Sequence, residues 1–393
     1  MTTGLLTLDD LDPARKTVLI RADFNVPVNA GVIQDDTRIR AGLPTLERLL
    51  AVPAAIILVS HLGRPQAGQY AAQFSLAPVA ERLAALLRRE VRLVSDWEQG
   101  VSVQPGEVAL LENIRFLPGE TDNSDELAQR LANLCDIYVN DAFATAHRAQ
   151  ASTHGVARYA PVACAGPLLL DEIATLTTAL ERPGCPLTAI VGGAKVSGKL
   201  LALENLIKKV DRLIVGGGIA NTFLKATGQP IGGSLCEDDL VNAAAGILGY
   251  AREHGKQVPL PEDVVCAKNL AADAPAQVKC LADIAADDFI LDVGPQTIAL
   301  NEQIINSSAT ILWNGPLGVF EIDQFATGTA ALARAIAASP ALSVAGGGDT
   351  VAAISRFGVT DGISCISTGG GAFLELLEGK TLPAVAVLER ADA

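Results

Sequence analysis

The sequence predicts an α/β protein of two Rossmann-like lobes, each a mainly parallel sheet flanked by helices, joined by a hinge helix. Three observations support this fold class. Short apolar, β-branched runs alternate with Ala/Leu-rich segments of helical period, which is the pattern of βα units. Glycines and polar residues cluster where the apolar runs end. At 393 residues the chain is long for a single core, so we expect two domains.

Strand candidates occur in both halves of the chain. Those in the first half are TVLIRADF, AAIILVSH, VRLVSD, VALLENIRF and DIYVNDAF. Those in the second half are LTAIVGGAK, RLIVGGGIA, DFILDVG, ATILWNG, LSVAGGGD and CISTGGG. Because ligands of open α/β sheets bind outside the carboxyl ends of the strands, the loops that follow these runs are the expected binding sites.

The segment GPLLLDEIATLTTALERPG, residues 166–184, predicts the helix that joins the lobes. Its apolar residues recur at helical spacing, and Pro167 and the Pro183-Gly184 pair bound it. We therefore place the domain boundary inside it. The predicted divisions are an N-terminal lobe at 1–170, a linker helix or hinge at 171–184, a C-terminal lobe at 185–378 and a tail at 379–393.

Composition argues against several classes of protein. Hydrophobic residues make up 49% of the chain. No apolar run approaches the roughly 20 residues that cross a bilayer, and the first residues do not resemble a secretory signal, so we expect a cytoplasmic protein without membrane partners. Seven scattered cysteines with no C-x-x-C argue against a disulfide framework or a zinc ribbon. A net charge of −14 would repel nucleic acid, so local positive clusters must hold any polyanionic ligand.

Positive charges are unevenly distributed between the halves. Before residue 190 the only lysine is Lys16, while arginines recur; lysines become frequent after that point. Arginine offers a planar fork for carboxylates and phosphates, whereas lysine is a compact point charge. The two halves could therefore hold anions in different ways, or the difference could be compositional drift. The arginines of interest are Arg21, Arg38, Arg64, Arg115 and Arg148.

Three Gly-Gly-Gly runs each follow a strand candidate and precede a helical segment. They occupy residues 216–218, 346–348 and 369–371. Such turns aim backbone N–H groups and a helix N-terminus at a phosphate. A dinucleotide fingerprint would need one more glycine in each run, but Asn221, Val351 and Leu374 stand there, so the sequence disfavours a dinucleotide site.

Two further features of the second half could bind a Mg-nucleotide. Asp349, beside the second glycine run, is either a helix N-cap or a magnesium ligand. The stretch VGGAKVSGKL spells G-x-x-x-x-G-K from Gly193, but Leu200 stands where a P-loop needs Ser or Thr. Lys195 and Lys199 near a helix N-terminus suggest a bound phosphate between them, although exposed loop lysines are the alternative.

The first half offers polar residues at the ends of its strands. Asp23 and Asn25 alternate with Phe24, so both could face one side of the chain. The five arginines could converge on a small, highly charged acid. His61 and His147 are usable acids or bases, but we assign proton transfer to neither. The sequence has no nucleophile motif such as G-x-S-x-G, which suits a phosphoryl transfer that needs no covalent side chain.

Ten motifs in order closely resemble the phosphoglycerate kinase family. The resemblance implies a triose lobe at 1–170, a nucleotide lobe at 185–378 and a tail, 379–393, that returns to the first lobe. It implies a monomer that carries out reversible, Mg²⁺-dependent phosphoryl transfer from 1,3-bisphosphoglycerate to ADP in glycolysis, giving 3-phosphoglycerate and ATP. The motifs are RADFNVP, SHLGRP, ENIRF, VNDAFATAHRAQAST, VGGAKVSGK, VGGGIANTFL, LDVGPQT, WNGPLGVFE, AGGGDT and STGGGAFLELLEGK.

The resemblance also implies the roles of single residues. The triose-binding loops are Asp23, Phe24 and Asn25 with His61, Leu62, Gly63 and Arg64, and the basic patch is Arg38, Arg115 and Arg148, with Arg38 nearest the transferred group. In the second lobe Lys199 contacts nucleotide phosphate, Lys195 the moving phosphoryl group and Glu321 the ribose. The phosphate loop is Gly347, Gly348, Asp349 and Thr350, with Asp349 on magnesium, and Gly370 and Gly371 supply backbone donors.

Four positions depart from the family pattern: Ala144, Gly198, Asn221 and Phe373. Phe373, near the third glycine run, could alter the nucleotide fit, and Gly198 should loosen the turn before Lys199. The resemblance predicts direct in-line transfer with closure about the hinge. A P-loop or dinucleotide enzyme, and a non-catalytic nucleotide-binding protein of the same fold, are the alternatives.

Overall fold

The structure is a computed structural model that describes residues 4–367 and 369–389. Contacts between residues divide the chain into two compact units, the first made of residues 1–174 with 381–393 and the second of residues 175–380. The division falls inside the helix predicted over 166–184, which the structure forms at Pro167–Glu181. The first three residues of the predicted N-terminal lobe, the last four of the predicted tail, and Thr368 of the STGGG motif lie outside the description.

A parallel sheet forms the centre of the first unit. With the strands numbered along the chain, its order is β5-β6-β4-β1-β7-β8. The strands β2 and β3 form a separate antiparallel hairpin. In the central strand Val18 pairs with Ile56 on one side and Ile137 on the other. The strands are β1 (Thr17–Ala22), β2 (Val28–Asn29), β3 (Val32–Ile33), β4 (Ala55–Val59), β5 (Val91–Val94), β6 (Val108–Leu111), β7 (Ile137–Asp141) and β8 (Ala163–Ala165).

Helices cover this sheet because its strands are apolar on both faces. Every residue of β4 and β6 is buried. The apolar stripes of two helices, represented by Leu46 and Leu83, join the core of the first unit. A π-helical turn, Ala151–Gly155, follows β7. The helices are α1 (Thr37–Ala41), α2 (Leu43–Ala51), α3 (Ala77–Leu87), α4 (Asp125–Ala132), α5 (Val156–Tyr159) and α6 (Pro167–Glu181).

The second unit contains two sheets. A five-stranded parallel sheet has the order β10-β9-β14-β15-β16, and a three-stranded antiparallel sheet has the order β12-β11-β13. The predicted strand DFILDVG therefore belongs to an antiparallel sheet. The strands are β9 (Leu187–Val191), β10 (Arg212–Val215), β11 (Asp263–Ala267), β12 (Gln277–Cys280), β13 (Phe289–Val293), β14 (Thr310–Asn314), β15 (Leu342–Gly346) and β16 (Cys365–Ser367).

Each glycine run connects a parallel strand to a helix, as the sequence predicts. The core between the sheet and these helices is built around the fully buried Trp313, whose indole N–H donates to the Gly315 carbonyl over 2.9 Å. The helices are α7 (Leu200–Lys209), α8 (Gly217–Ala226), α9 (Val241–Glu253), α10 (Pro295–Asn306), α11 (Thr327–Ala338), α12 (Gly348–Arg356) and α13 (Gly370–Leu377).

Residues 381–389 of the tail belong to the first unit. The helix of the tail is α14 (Pro383–Ala386). The Ala384 N–H donates to the Ala146 carbonyl over 3.1 Å, and the Asn140 side chain lies 3.4 Å from the Ala384 carbonyl. The described part of the tail therefore packs next to the loop that follows β7. Within the described residues, no helix is long and apolar enough to cross a membrane.

Candidate active site

The predicted triose-binding loops come together at one edge of the first unit's sheet. They follow β6, β4, β1 and β7, which are neighbours in the parallel sheet. The carboxyl ends of parallel strands meet at one edge, so four loops that are distant in sequence become adjacent in space. The loop after β6 carries Arg115, and the loop after β4 carries His61 and Arg64. The loop after β1 carries Asp23 and Asn25, and the loop after β7 carries Arg148.

Hydrogen bonds connect two of the triose-binding loops to each other and to Arg38. The Arg38 Nη1 donates to Asp23 Oδ2 over 2.8 Å and to the Asn25 carbonyl over 3.0 Å. Asn25 Oδ1 accepts the Gly63 N–H over 2.8 Å. A side chain on Gly63, at φ +61°, would collide with the Phe74 ring at 2.5 Å. The loop therefore requires glycine, and Arg38 is held by a buried carboxylate while a third of its side chain stays exposed.

Two loop residues support the site from behind. Phe24 is buried, and its N–H donates to the Ser60 hydroxyl over 2.8 Å. Asn113 donates to the Leu62 carbonyl over 2.8 Å and accepts the Arg115 N–H over 3.1 Å. Sequence reasoning missed Asn113, although it stands in the ENIRF motif. Its side chain fixes the loop after β4 relative to the loop after β6.

Arg115 lies close to other positively charged arginines. The Arg115 Nη1 donates to the Gly63 carbonyl over 2.6 Å, but its Nε is buried without a partner among the described residues. Burial and the neighbouring Arg148 and Arg21 lower the pKa of Arg115 to about 10. The Arg148 Nε donates to His147 Nε2 over 3.0 Å, and Arg64 is exposed. A bound anion would relieve this repulsion.

His61 lies inside the same cluster. It is buried, and burial together with Arg21, Arg115, Arg148 and Arg38 holds the pKa of its imidazole well below the usual range. Its Nδ1 lies 3.9 Å from Asp23 Oδ1. The imidazole is therefore neutral at physiological pH.

Arg21 does not take part in the convergence that the sequence suggested. It is fully buried, and its guanidinium donates to the Ala22 carbonyl and to the Ser152 hydroxyl and lies against His61. The expectation that five arginines face one ligand is thus wrong for Arg21. Arg21 lies on β1, two residues before Asp23 of the loop that follows the strand. Its side chain therefore starts inside the sheet, behind that loop.

The second unit places its candidate groups at the carboxyl ends of five adjacent parallel strands. The loops there touch through their backbones. A side chain on Gly192 would lie 1.8 Å from the Pro316 carbonyl oxygen, and one on Gly315, at φ +107°, would lie 2.2 Å from the Gly192 carbonyl oxygen. Glycine is therefore required for the loops after β9 and β14 to pack together.

The predicted phosphate loop begins α12. Gly347 is the N-cap residue, at φ +102°, and Gly348 and Asp349 are exposed in the first turn. Asp349 is therefore not the N-cap, and that alternative is wrong. Thr350 Oγ1 accepts the Gly315 N–H over 2.7 Å. A side chain on Gly370 would lie 3.0 Å from the Gly347 Cα, so α12 and α13 begin next to each other.

Lys199 points back onto the loops. It is the N-cap residue of α7, and its ammonium donates to the Gly192 carbonyl over 2.7 Å and to the Asn314 carbonyl over 3.1 Å. Burial lowers the pKa of Lys199 to about 8, against an opposing effect of the Asp349 carboxylate. Lys195 lies on the same loop and is exposed. The residue after Lys199 is Leu200, the first residue of α7, and it has no hydroxyl to offer a metal ion.

A cleft of about 510 Å³ opens beside these groups, and apolar residues form most of its wall. Asp349 and the exposed Glu321 lie on the same cleft. Asn221, which the sequence marked as a departure, lines it and donates to the Leu235 carbonyl over 3.1 Å. Sequence reasoning missed the apolar wall, which includes Leu235, Leu270, Phe289, Pro316 and Leu317.

The chain matches known proteins over nearly its whole length. A family model for phosphoglycerate kinase matches residues 8–380. The chain belongs to the phosphoglycerate kinase family. The solved structure of phosphoglycerate kinase from Coxiella burnetii is 53% identical, with a TM-score of 0.92, and the match covers 98% of each chain. That from Pyrococcus horikoshii OT3 is 33% identical, with a TM-score of 0.83 and 98% of each chain covered.

Family membership confirms the predicted α/β fold and the predicted class of enzyme. The chain is a kinase, a transferase of phosphoryl groups, and its family acts in glycolysis. The roles of individual residues stay predictions. The phosphoglycerate kinase reaction needs an anion site for a triose and a second one for a nucleotide, and the structure provides one candidate cluster in each unit.

The donor groups suit a nucleotide-borne magnesium ion. Within residues 4–367 and 369–389, no group of three or more His, Cys, Asp or Glu side chains could hold a metal ion by itself. Asp349 offers one exposed carboxylate next to the glycine turn. Mg²⁺ takes one or two protein carboxylates and completes its shell with phosphate oxygens and water. The residues present therefore fit an ion that is held jointly with phosphates.

Two other departures lie away from the cleft wall. Phe373 is fully buried, and its ring is packed so closely on Gly346 that a side chain there would lie 2.6 Å from it. It supports the second glycine run from behind. Gly198 is exposed, and a methyl group added to its Cα would have nothing within 4 Å. A larger residue at 198 would therefore meet open space.

Proposed function

We propose that the chain transfers a phosphoryl group directly between the acyl phosphate of 1,3-bisphosphoglycerate and ADP, in both directions, with no phosphorylated side chain. One observation carries the proposal: glycine turns and Asp349 line an apolar cleft, and the Lys199 ammonium lies next to Gly193 of that lining. Backbone N–H groups and a lysine suit phosphates, and an apolar cleft suits a base. Such a transfer relies on positioning and charge neutralisation.

In the first unit, the triose would lie on the arginine cluster. Arg38, Arg115 and Arg148 would neutralise its phosphate and carboxylate groups, with Arg38 nearest the transferred group. Arg38 is partly exposed but is oriented by two hydrogen bonds, so it can meet a ligand without a search over rotamers. Asp23, Asn25, His61, Gly63 and Arg64 would complete the triose site, and Phe24 and Leu62 would support it.

In the second unit, the nucleotide would lie along the cleft. Glu321 would accept hydrogen bonds from the ribose, and Gly347, Gly348 and Thr350 would contact the phosphates. Lys199 would leave its two backbone carbonyls for a phosphate oxygen, and Lys195 would neutralise the moving phosphoryl group together with the N–H groups of Gly370 and Gly371. Charge that spreads over the phosphoryl oxygens in the transition state is what these donors stabilise.

Magnesium enters this proposal through Asp349. The carboxylate would hold a Mg²⁺ ion that also binds nucleotide phosphate, and the bound ion would supply further neutralisation of phosphate charge. Asp349 is exposed at the first turn of α12, so it can reach a ligand without unfolding the helix.

Direct transfer also requires the two ligands to meet. We propose that α6, the helix within which the unit boundary falls, acts as the hinge for closure. Closure would exclude the water that could hydrolyse an acyl phosphate. Small-angle scattering should show compaction when both substrates bind, and an unchanged radius of gyration would contradict the hinge. We also propose that the enzyme is a cytoplasmic monomer that binds neither nucleic acid nor membranes.

A coupled assay of ATP formation from 1,3-bisphosphoglycerate and ADP tests the function. We expect Lys199→Ala to lower kcat by about 10²-fold or more, the range for losing one transition-state donor. Lys208→Ala is the matched control, because Lys208 is an exposed residue in the last turn of the same helix. A rate within about twofold of wild type for Lys199→Ala would remove Lys199 from the mechanism.

The same assay separates catalysis from nucleotide binding alone. Nucleotide binding with no turnover in either direction would favour a non-catalytic binding protein of the same fold.

A further inference from the structure

A buried hydrogen-bonded chain lies behind the triose loops of the first unit. It starts at Glu120, which is buried and accepts two hydrogen bonds from Ser152. The Ser152 hydroxyl donates to Glu120 Oε1 over 2.6 Å, and the Ser152 N–H donates to Glu120 Oε2 over 3.0 Å. Ser152 lies in the π-helical turn Ala151–Gly155, a local form that is common at functional sites.

Arg21 is the middle of this chain. Its Nε donates to the Ser152 hydroxyl over 2.9 Å, its Nη1 donates to the Ala22 carbonyl, and its Nη2 lies 3.1 Å from His61 Nδ1. The residue has no exposed surface. Each of its three nitrogens thus has a partner inside the protein, and the guanidinium plane is fixed on both edges.

The chemistry of these groups determines the direction of every hydrogen bond. The Ser152 hydroxyl has one proton, which goes to Glu120, so it accepts from Arg21. An arginine has donors only, so the contact between Arg21 Nη2 and His61 Nδ1 is a hydrogen bond only if Nδ1 carries a lone pair. Asp23 Oδ1, at 3.9 Å from the same Nδ1, is too distant to accept a proton from it.

We propose that Arg21, oriented by Ser152 and Glu120, is a positioning residue that holds His61 as the neutral tautomer with its proton on Nε2. The imidazole then offers a fixed N–H donor to an anionic oxygen of the triose. The identity of that ligand rests on the proposed function, whereas the tautomer does not. His61 thus acts as a neutral hydrogen-bond donor, and proton transfer is not its task.

The surroundings of His61 explain why a neutral donor is preferred there. The charged groups that face it are the guanidinium groups of Arg21, Arg38, Arg115 and Arg148 and the Asp23 carboxylate. A fifth positive charge among four would be costly, and burial adds to that cost. A neutral Nε2–H still donates to an anion, so the site gains a donor without gaining repulsion.

The tautomer can be read directly from the whole protein by NMR. Long-range ¹H–¹⁵N correlation spectra of ¹⁵N-histidine-labelled protein distinguish the two neutral tautomers, and the chain has only four histidines. The His61 signals are identified by their loss in His61→Gln. We expect a single Nε2–H pattern that does not change between about pH 5.5 and about pH 8, where an ordinary histidine titrates.

Three variants test the role of the chain. Arg21→Lys keeps the buried charge opposite Glu120 but loses the planar fork, so His61 should show mixed tautomers. Ser152→Ala breaks the chain between Glu120 and Arg21, and it should also give mixed tautomers, so it decides the matter if Arg21→Lys does not fold. Tyr138→Phe is the matched control. The Tyr138 hydroxyl donates over 2.9 Å to the backbone carbonyl of Ser152, which makes none of the hydrogen bonds of the chain. This variant should keep the wild-type tautomer.

Activity gives an independent readout. In Arg21→Lys we expect kcat/KM for 3-phosphoglycerate to fall about tenfold through KM, the effect of one hydrogen bond to a charged group, and to become dependent on pH. A wild-type His61 with its proton on Nδ1, or one that titrates across that range, would overturn the inference. An inactive wild-type enzyme with the expected tautomer would instead overturn only the proposed function.

Discussion

The two units present anion-binding groups in opposite ways. The first unit uses side chains: Arg38, Arg115 and His61 are oriented by buried or half-buried partners, and much of the charge lies below the surface. The second unit uses the backbone: glycine turns and helix N-termini form the candidate phosphate site, and one lysine, Lys199, is half-buried among them. The uneven distribution of arginine and lysine in the sequence corresponds to this difference in construction.

The difference shows where each unit meets the cost of binding an anion. Burying several guanidinium groups is unfavourable. In the first unit this is offset by buried carboxylates and by hydrogen bonds that exist before any ligand binds. Backbone donors cost no side-chain entropy, but they require loops that touch, which only glycine permits. We therefore expect the first unit to be sensitive to loss of charge and the second to be sensitive to added volume.

Loss of charge at Arg38 should have the largest effect. Arg38→Ala removes the guanidinium and leaves the Asp23 carboxylate buried without its partner at 2.8 Å. We expect kcat to fall by about 10³-fold, at the upper end for one electrostatic donor. Steady-state kinetics in the coupled assay measures it. Arg38→Lys should recover only part of the rate, because an ammonium is a compact point charge without the planar fork that binds a phosphate or carboxylate through two nitrogens. Equal rates in the two variants would show that geometry at Arg38 does not matter.

Added volume at Gly347 should have the next largest effect. In Gly347→Ala the new methyl group would lie 3.0 Å from Asn314 Nδ2, at a φ of +102°. We expect the dissociation constant for ADP to rise about 10-fold to 100-fold, because about 1–3 kcal/mol of strain would distort the phosphate loop. Calorimetric titration measures it. Gly228→Ala is the control, since Gly228 also has a positive φ, +81°, but nothing within 4 Å. Comparable weakening in the control would assign the effect to general destabilisation.

The pH dependence of nucleotide use tests the half-buried lysine of the glycine loops. Burial lowers the pKa of Lys199 to about 8 in the free enzyme. The protonated form is the one that attracts phosphate, so kcat/KM for ADP should fall about tenfold per pH unit above that value. Lys199→Arg keeps its charge over this range and should move the fall to higher pH. An unchanged inflection in that variant would point to another group.

Stability should change with pH in the opposite direction. The folded pKa of Lys199 lies below the ordinary lysine value of 10.5, so between about pH 8 and about pH 10.5 the unfolded chain binds more protons. The cost of burying this lysine therefore decreases as pH rises through that window. Thermal unfolding should show Lys199→Met more stable than wild type at about pH 7, by an amount that shrinks toward about pH 10.

Much of the fold could be predicted because it depends on local patterns. Continuous apolar runs followed by glycine or polar residues indicated the main parallel strands, including β1, β4, β9 and β14, and bounding prolines indicated the helix α6. The short strands β2, β3 and β8 and the strands β11 and β12 were missed, and β13 was not expected to be antiparallel. In β12, Gln277–Cys280, no residue is buried, so its sequence has no apolar periodicity to detect. Pairing with β11 determines its structure, and that pairing is not local.

The candidate site divides in the same manner. Charged residues and glycines in motifs were found because their chemistry is visible in the sequence. The wall of the cleft, including Leu235 and Phe289, was not found, since such residues look like any others until the fold brings them together. Ser152 and Glu120 were missed for another reason. Their role exists only through Arg21, and no spacing rule connects residues 21, 120 and 152.

The smallest expected effect tests whether the lysine loop is as rigid as the arginine cluster. Gly198 precedes Lys199, has no positive φ, and faces open space. Gly198→Ala should therefore stabilise the second unit by about 0.4–1 kcal/mol, by restricting the unfolded chain. Chemical denaturation measures it, with Gly246→Ala, in the exposed middle of α9, as a control for the same gain in a helix.

The kinetics of Gly198→Ala then decide between two descriptions of the second unit. Lys199 donates to two backbone carbonyls, so it must leave them before it can contact a phosphate. If the loop has to move for that step, a stiffer residue at 198 should lower kcat while stability rises, and the contrast with the preformed first unit is real. If kcat is unchanged, rotation of the lysine side chain is sufficient, and both units are preorganised by different chemical means.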